Sequence, residues 1–325
     1  MTTKPLFIKL LGLLLICSVL TNCKTHDPGT WRNEQIEPGD REDFHKLNTQ
    51  LMAALKANNH LQMDGLMSAD LIQRPGKLRL IELCSNHLKD GAYSLLNEFY
   101  MVNDEHGNKM LKTNNYTLDY NAETREMYIA FFTPKDISNQ YIISAIYCKY
   151  NYGWKLSHLE VNPYTYNGKT APELFDQAKN MMVKGYFIDA LADLQLAATC
   201  ANPCEGWQYT GLADMRKFNV QLANALNEKY KYPLTLTQVP TRPRIFSIST
   251  QTTPSGVYPL IYYISSIKLK NTDALKKEND EIKEVIGKLV PGIDKDKKFV
   301  YYDAFNEYPR YDQSVDRVDF VDKLK

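Results

Sequence analysis

Several groupings of side chains have the types and spacing that chemistry would need. Asp303 and Glu307 stand four apart beside Tyr301, Tyr302 and Tyr308. A carboxyl pair in an aromatic setting could divide acid and base roles, because burial raises the pKa of one member. A solvated rim at the end of a strand accounts for the same residues. Asp316, Asp319 and Asp322 have the acidic density of a cation site. Calcium, however, takes about six to eight oxygens around a tight loop. Here Val318, Phe320 and Val321 interleave and no glycine makes such a loop, so alternating exposure on an edge strand is the expectation. Asp294-Lys295-Asp296-Lys297-Lys298 reads as a polar turn.

The cysteines admit two kinds of chemistry. Cys84 and His87 have a metal-like spacing. They fall in an apparent helix with no second ligand pair at short range, which predicts a buried thiol and a surface imidazole. Cys200 and Cys204 flank Pro203, and an exported compartment would permit a local disulfide closing a helix end. Gly-x-Ser-x-Gly, His-Glu-x-x-His and glycine-rich phosphate loops do not occur. The chain therefore calls for no cofactor and no metal, and no catalytic residue is assigned.

The first residues carry an address. Lys4 and Lys9 precede an apolar run, Leu10 to Leu20, interrupted by Gly12 and Ser18. That is the layout of a secretory signal. The run is far shorter than the roughly 20 residues a membrane span needs. No alanine occurs before Ala53, so Ala-x-Ala cleavage has no substrate. The run closes instead on Leu20-Thr21-Asn22-Cys23, which resembles the lipobox of bacterial lipoproteins. The resemblance implies that residues 1–22 are removed, that Cys23 is acylated, and that its chains hold the protein in a bilayer of the cell envelope. Ordinary secretion, an uncleaved anchor, or Cys23 as a disulfide partner are the alternatives. Lys24 lacks the acidic character of an inner-membrane retention signal, which by the same resemblance favours the outer membrane. Residues 23–40, with His26-Asp27-Pro28-Gly29-Thr30 and Glu37-Pro38-Gly39-Asp40, read as a tether of turn-formers.

Lys and Arg number 39 against 38 Asp and Glu; without Lys4 and Lys9 the balance is 37 to 38. A chain near neutrality, with no basic cluster, gives no footprint for nucleic acid.

These residues must be positioned by an α+β architecture. Phe44, Leu47, Leu51, Met52 and Leu55 recur at helical period, and helices are expected over 41–57, 61–71 and 78–88. The period then changes to that of strands over 93–102, 116–120, 125–132, 141–150 and 154–161, with compact hairpin turns at 121–124 and 151–153. This layout, with His60 to Leu71 in the helix pair and Gly153 to Glu160 on the last strand, resembles the NTF2-like superfamily. The resemblance implies a cone of helices on a curved antiparallel sheet over residues 41–168. It also implies a pocket inside the cone, for which Tyr100, Asp119, Tyr128 and His158 are the candidates by residue type and strand placement.

Thr170-Ala171-Pro172-Glu173 is a capping box with Pro in the first turn. It opens a helical hairpin and linker over 169–230, whose Ala178, Gly185-Tyr186 and Ala190 resemble one tetratricopeptide-type repeat. Residues 231–325 read as a second α+β unit: strands near 234–239, 244–250, 258–269, 299–305 and 315–321, and a helix over 273–289. Its Tyr258, Tyr262, Tyr263, Tyr301, Tyr302, Tyr308 and Tyr311 could form a stacking platform for sugars or peptides, or be half-buried residues of the sheet. The expected function is a non-catalytic accessory or binding lipoprotein whose partners are the bilayer, through Cys23, and an envelope protein or glycan. The alternatives are ligand binding or catalysis in the cone, and carbohydrate capture by the tyrosines.

Overall fold

The computed structural model describes residues 26–309 and 314–324. The signal segment, Cys23, Lys24 and Tyr311 lie outside the described residues. No helix among those described is long and apolar enough to cross a membrane.

The chain is α+β. Its first unit has three layers built on a five-stranded antiparallel sheet of order β1-β2-β5-β6-β7. The strands are β1 (Gly29–Arg32), β2 (Tyr93–Val102), β5 (Glu126–Pro134), β6 (Tyr141–Tyr150) and β7 (Gly153–Pro163). One face carries helices α1 (Pro38–Lys56), α2 (His60–Leu66), α3 (Ala69–Gln73) and α4 (Lys77–Asp90). The expected second helix is thus two short ones, divided where Ser68 caps α3 by accepting from the Leu71 amide. The other face carries a three-stranded sheet, β10-β4-β3: β3 (Gly107–Lys112), β4 (Tyr116–Ala122) and β10 (Trp207–Tyr209).

Three expectations are corrected. Residues 26–40 are not a free tether. Trp31 and Ile36 give this turn-rich stretch two apolar anchors, β1 pairs with β2 from Gly29 opposite Val102 to Arg32 opposite Phe99, and Ile36 is buried. The turn at 121–124 is not a hairpin, because β4 and β5 belong to different sheets; it is a corner between layers. The linker is not purely helical, because β10 returns to pair with β4, Trp207 opposite Leu118.

The capping box forms as expected at Thr170 and Glu173. It opens α5 (Ala171–Val183), which packs on α6 (Phe187–Thr199) and, with α7 (Met215–Lys229), shares an apolar core. In the last unit a mixed sheet runs β11 (Leu234–Thr235), β12 (Arg244–Thr253), β13 (Gly256–Ile264), β14 (Phe299–Phe305), β15 (Arg317–Lys323). Among its described strands only β13 and β14 pair in parallel. A parallel pair needs a long crossover, and α8 (Thr272–Leu289) supplies it. The helix buries Leu275, Ile282 and Ile286 against the sheet.

Candidate functional site

The period of two along a strand sorts the central sheet's side chains to its two faces. On β5, Tyr128, Ala130 and Phe132 face the helices, while Met127, Ile129 and Phe131 face the small sheet. The space under the helices, the interior expected to hold a pocket, is filled by Leu51, Leu55, Phe44, Ile143, Leu156 and their neighbours.

Two of the four pocket candidates sit in that filled core. The Tyr128 hydroxyl donates to Glu98 Oε2 (2.7 Å) and accepts from Asn48 Nδ2 (2.7 Å). Glu98 is fully buried and also accepts from Arg41 Nε (2.5 Å), with His45 Nε2 3.1 Å from each of its oxygens. This network ties α1 to the sheet. Burial pushes the Tyr128 hydroxyl far above the ordinary tyrosine range, and the neighbouring Glu98 adds to the shift. Tyr100 donates to Glu126 Oε2 (2.6 Å) and meets His26 Nδ1 at 3.3 Å. Its ring lies between Trp31 and Phe44.

The other two candidates, Asp119 and His158, line one cleft on the opposite face, between the two sheets. Its volume is about 710 Å³, within the range of small-molecule sites. Met127, Ile129 and Phe131 of β5, Ile146 of β6 and Leu118 of β4 make an apolar floor, with Met110 of β3 at the side. Asp119, Glu123, Glu160 and Glu205 supply four carboxyl groups around it.

A β-bulge aims His158. Tyr147 stands opposite Leu156 but Ile146 opposite His158, so Ser157 is one residue too many for its partner strand. Leu156 can thereby face the helices and His158 the cleft, although they are two apart. His158 Nδ1 lies 3.9 Å from Glu123 Oε1. The loop after α6 closes one edge. Glu160 Oε2 accepts from the Glu205 amide (3.0 Å), and the Asp119 amide donates to the Gly206 carbonyl (3.0 Å). Gly206 has φ +77°, and a Cβ there would stand 2.0 Å from the Asp119 carbonyl oxygen. Behind it Trp207 stacks on Tyr116 at 3.6 Å and meets Phe131 edge-on.

The cysteines form no disulfide among the described residues; Cys84, Cys148, Cys200 and Cys204 are buried free thiols. The expected Cys200–Cys204 bridge is corrected because the two belong to different cores, Cys200 among the linker helices and Cys204 beside the cleft. Burial pushes Cys84 up to about 12 and Cys148 and Cys200 up to about 11. Thiols held protonated in this way are poor nucleophiles. The His87 ring stacks on Tyr141 at 4.0 Å. Ser265 and Lys268 have Ser-x-x-Lys spacing, but Ser265 is buried and its Oγ accepts from the Ile267 amide.

In the last unit the sheet divides the tyrosines. Tyr263 and Tyr302 are core residues under α8. Tyr262 and Tyr308 lie on the other side around Phe246. Asp303 is buried beside Arg317 (3.4 Å), whereas Glu307 is exposed beyond the end of β14. Burial pushes Asp303 up to about 6. Asp319 and Asp322 alternate along β15. Among the described residues one group of metal-ligating types lies close together, His26, Glu37 and Asp40, with His26 Nε2 3.0 Å from Asp40 Oδ2. The three stand where the chain enters α1.

Compared with known proteins, the chain matches no family model, no curated protein and no solved structure.

Proposed function

We propose that the protein is a non-catalytic binding module of the cell envelope, held at a membrane by acyl chains on Cys23, with its ligand site in the cleft between the two sheets of the first unit. The cleft carries this reading: an apolar floor with a few polar groups at its edge is the usual build of a small-molecule site. The thiol beside it, Cys204, is held protonated by burial, which suits binding better than nucleophilic attack. Helices ahead of a five-stranded antiparallel sheet support an NTF2-like ancestry for this unit. In that reading the usual interior has been closed by aliphatic and aromatic packing, and the other sheet face has taken the ligand.

Anchoring brings a geometric consequence. His26 already packs on Trp31 and Tyr100. Three chain steps separate it from Cys23, which at about 3.3–3.6 Å each span only about 10 Å. The body would rest on the bilayer surface. Stable anchoring needs more than one acyl chain, as the lipobox resemblance implies.

The cleft is tested with the full chain carrying Cys23→Ser and the neutral fluorophore N-phenyl-1-naphthylamine. Its emission should rise on binding, and the Ile146→Trp variant, which fills the floor, should abolish the rise. Equal emission with both proteins would refute the site.

A further inference from the structure

We propose that the cleft selects a cationic amphiphile, a molecule with an apolar body and a protonated amine. This rests on the reading of the cleft as the ligand site and specifies what that site takes.

The rim is predominantly acidic. Asp119, Glu123, Glu160 and Glu205 surround the apolar floor, and Lys109 is the lysine among the residues lining it. Lys109 is already committed, since its ammonium meets Asp104 Oδ1 at 2.7 Å. Glu123 is the most engaged of the carboxyl groups: its Oε2 accepts from Tyr150 (3.4 Å) and the Cys148 thiol (3.7 Å), and its Oε1 lies 3.9 Å from His158 Nδ1. The other three are only partly used. Asp119 accepts from Gln208 Nε2 through Oδ2 (3.0 Å), and Glu160 accepts from Asn162 Nδ2 and the Glu205 amide through Oε2. Their other oxygens have no hydrogen-bond partner among the described residues, and neither does the Glu205 carboxyl.

A second observation lies on the floor. Ser144 is 4 % exposed and lines the cleft, and its Oγ makes no hydrogen bond beyond a weak contact with the Cys204 thiol. That thiol is itself held protonated by burial. A buried hydroxyl with nothing better than a thiol beside it is uncommon in folded proteins. Here it offers a hydrogen bond to a group entering the cleft. The floor around it, Met127, Ile129, Phe131 and Ile146, offers only apolar surface.

These features fix the sign of the ligand. A molecule filling the cleft displaces water from the carboxylates at its edge. A neutral molecule leaves their desolvation uncompensated, and an anion adds repulsion. An ammonium reaching the rim from an apolar body on the floor compensates both. The ligand is therefore a lipid-like or small aromatic amine.

The experiment uses the full chain with Cys23→Ser, so that no protein-borne acyl chain competes. Octylammonium, octanoate and octanol are titrated below their aggregation concentrations and followed by calorimetry. Octylammonium should bind at least about tenfold more tightly than octanoate, and more tightly than octanol. Doubling the salt should weaken it selectively. The Asp119→Asn, Glu123→Gln double variant, checked for an unchanged Tm, should reduce the preference to about threefold or less. Octanoate or octanol binding as well as octylammonium, with all three lost in Ile146→Trp, would overturn the cationic preference and leave the cleft as a site. Failure of all three to bind the parent protein would overturn both readings.

Discussion

Replacing Gly206 by alanine tests whether the loop behind the cleft is held as tightly as its geometry indicates. Two effects add. At φ +77° a side chain costs about 1–2 kcal/mol relative to glycine. The new Cβ would also stand 2.0 Å from the Asp119 carbonyl oxygen, against an ordinary contact of 3.4 Å or more, so the loop and β4 must separate by about 1.4 Å. That displacement breaks the 3.0 Å bond from the Asp119 amide to the Gly206 carbonyl, worth about 0.5–1.5 kcal/mol net, and loosens the stack of Trp207 on Tyr116. The expected loss is about 1.5–3.5 kcal/mol. Gly168 provides the internal control. Its φ is +74°, but a Cβ there meets nothing within 4 Å, so Gly168→Ala carries the conformational strain alone, about 1–2 kcal/mol. Urea unfolding of both variants, followed by Trp fluorescence, measures the difference. Equal losses would show that the loop is not seated against β4, and the cleft would lose its edge.

Glu98→Ala should destabilise by about 3–5 kcal/mol in urea, because it strands the buried Tyr128 hydroxyl and the Arg41 guanidinium; Glu98→Gln, which keeps an acceptor, should lose less, and parity between the two would refute the network. Burial pushes the Asp193 carboxyl up to about 6, above its unfolded value, so the folded state holds that proton more tightly and the group's contribution is fully present below about pH 4 and lost as pH rises through about 6. Asp193→Asn should accordingly stabilise the protein by about 3 kcal/mol at pH 7.5 and raise its Tm, and leave both nearly unchanged at pH 4; a gain equal at both values would contradict the assignment. Cys23→Ser should move the protein from the membrane pellet to the soluble fraction, and mass spectrometry of the parent protein should find acyl chains on that residue; an unmodified thiol there would end the anchoring account.

Much of the scaffold is legible in the sequence where one periodicity dominates. Helix 38–56 shows its stripe of Phe44, Leu51 and Leu55; strand 93–102 and helix 272–289 are similarly plain. The capping box at Thr170 and Glu173 is local chemistry and needs no tertiary context. The site was only half legible. By residue type the sequence offers Asp119, His158, Tyr100 and Tyr128 alike; the first two lie on the cleft, while the other two point under the helices. Strand parity separates the two pairs only once it is known which face each layer covers. The bulge at Ser157, which turns His158 around, leaves no pattern in the sequence. Nor does the pairing of Trp207 with Leu118, which joins segments far apart in the chain. Strand β3, whose Asn108, Lys109 and Met110 line the cleft, has too short and polar a run to stand out. Strand β1 was hidden by the turn-formers around Trp31.

The central claim is that the space between the two sheets holds a small ligand in the envelope. Native mass spectrometry of the protein, released gently from the membranes in which it was made, tests it most directly. The account predicts an added mass on the parent protein that is lost on unfolding and absent from Ile146→Trp. The same mass retained by Ile146→Trp would place the ligand elsewhere and contradict it.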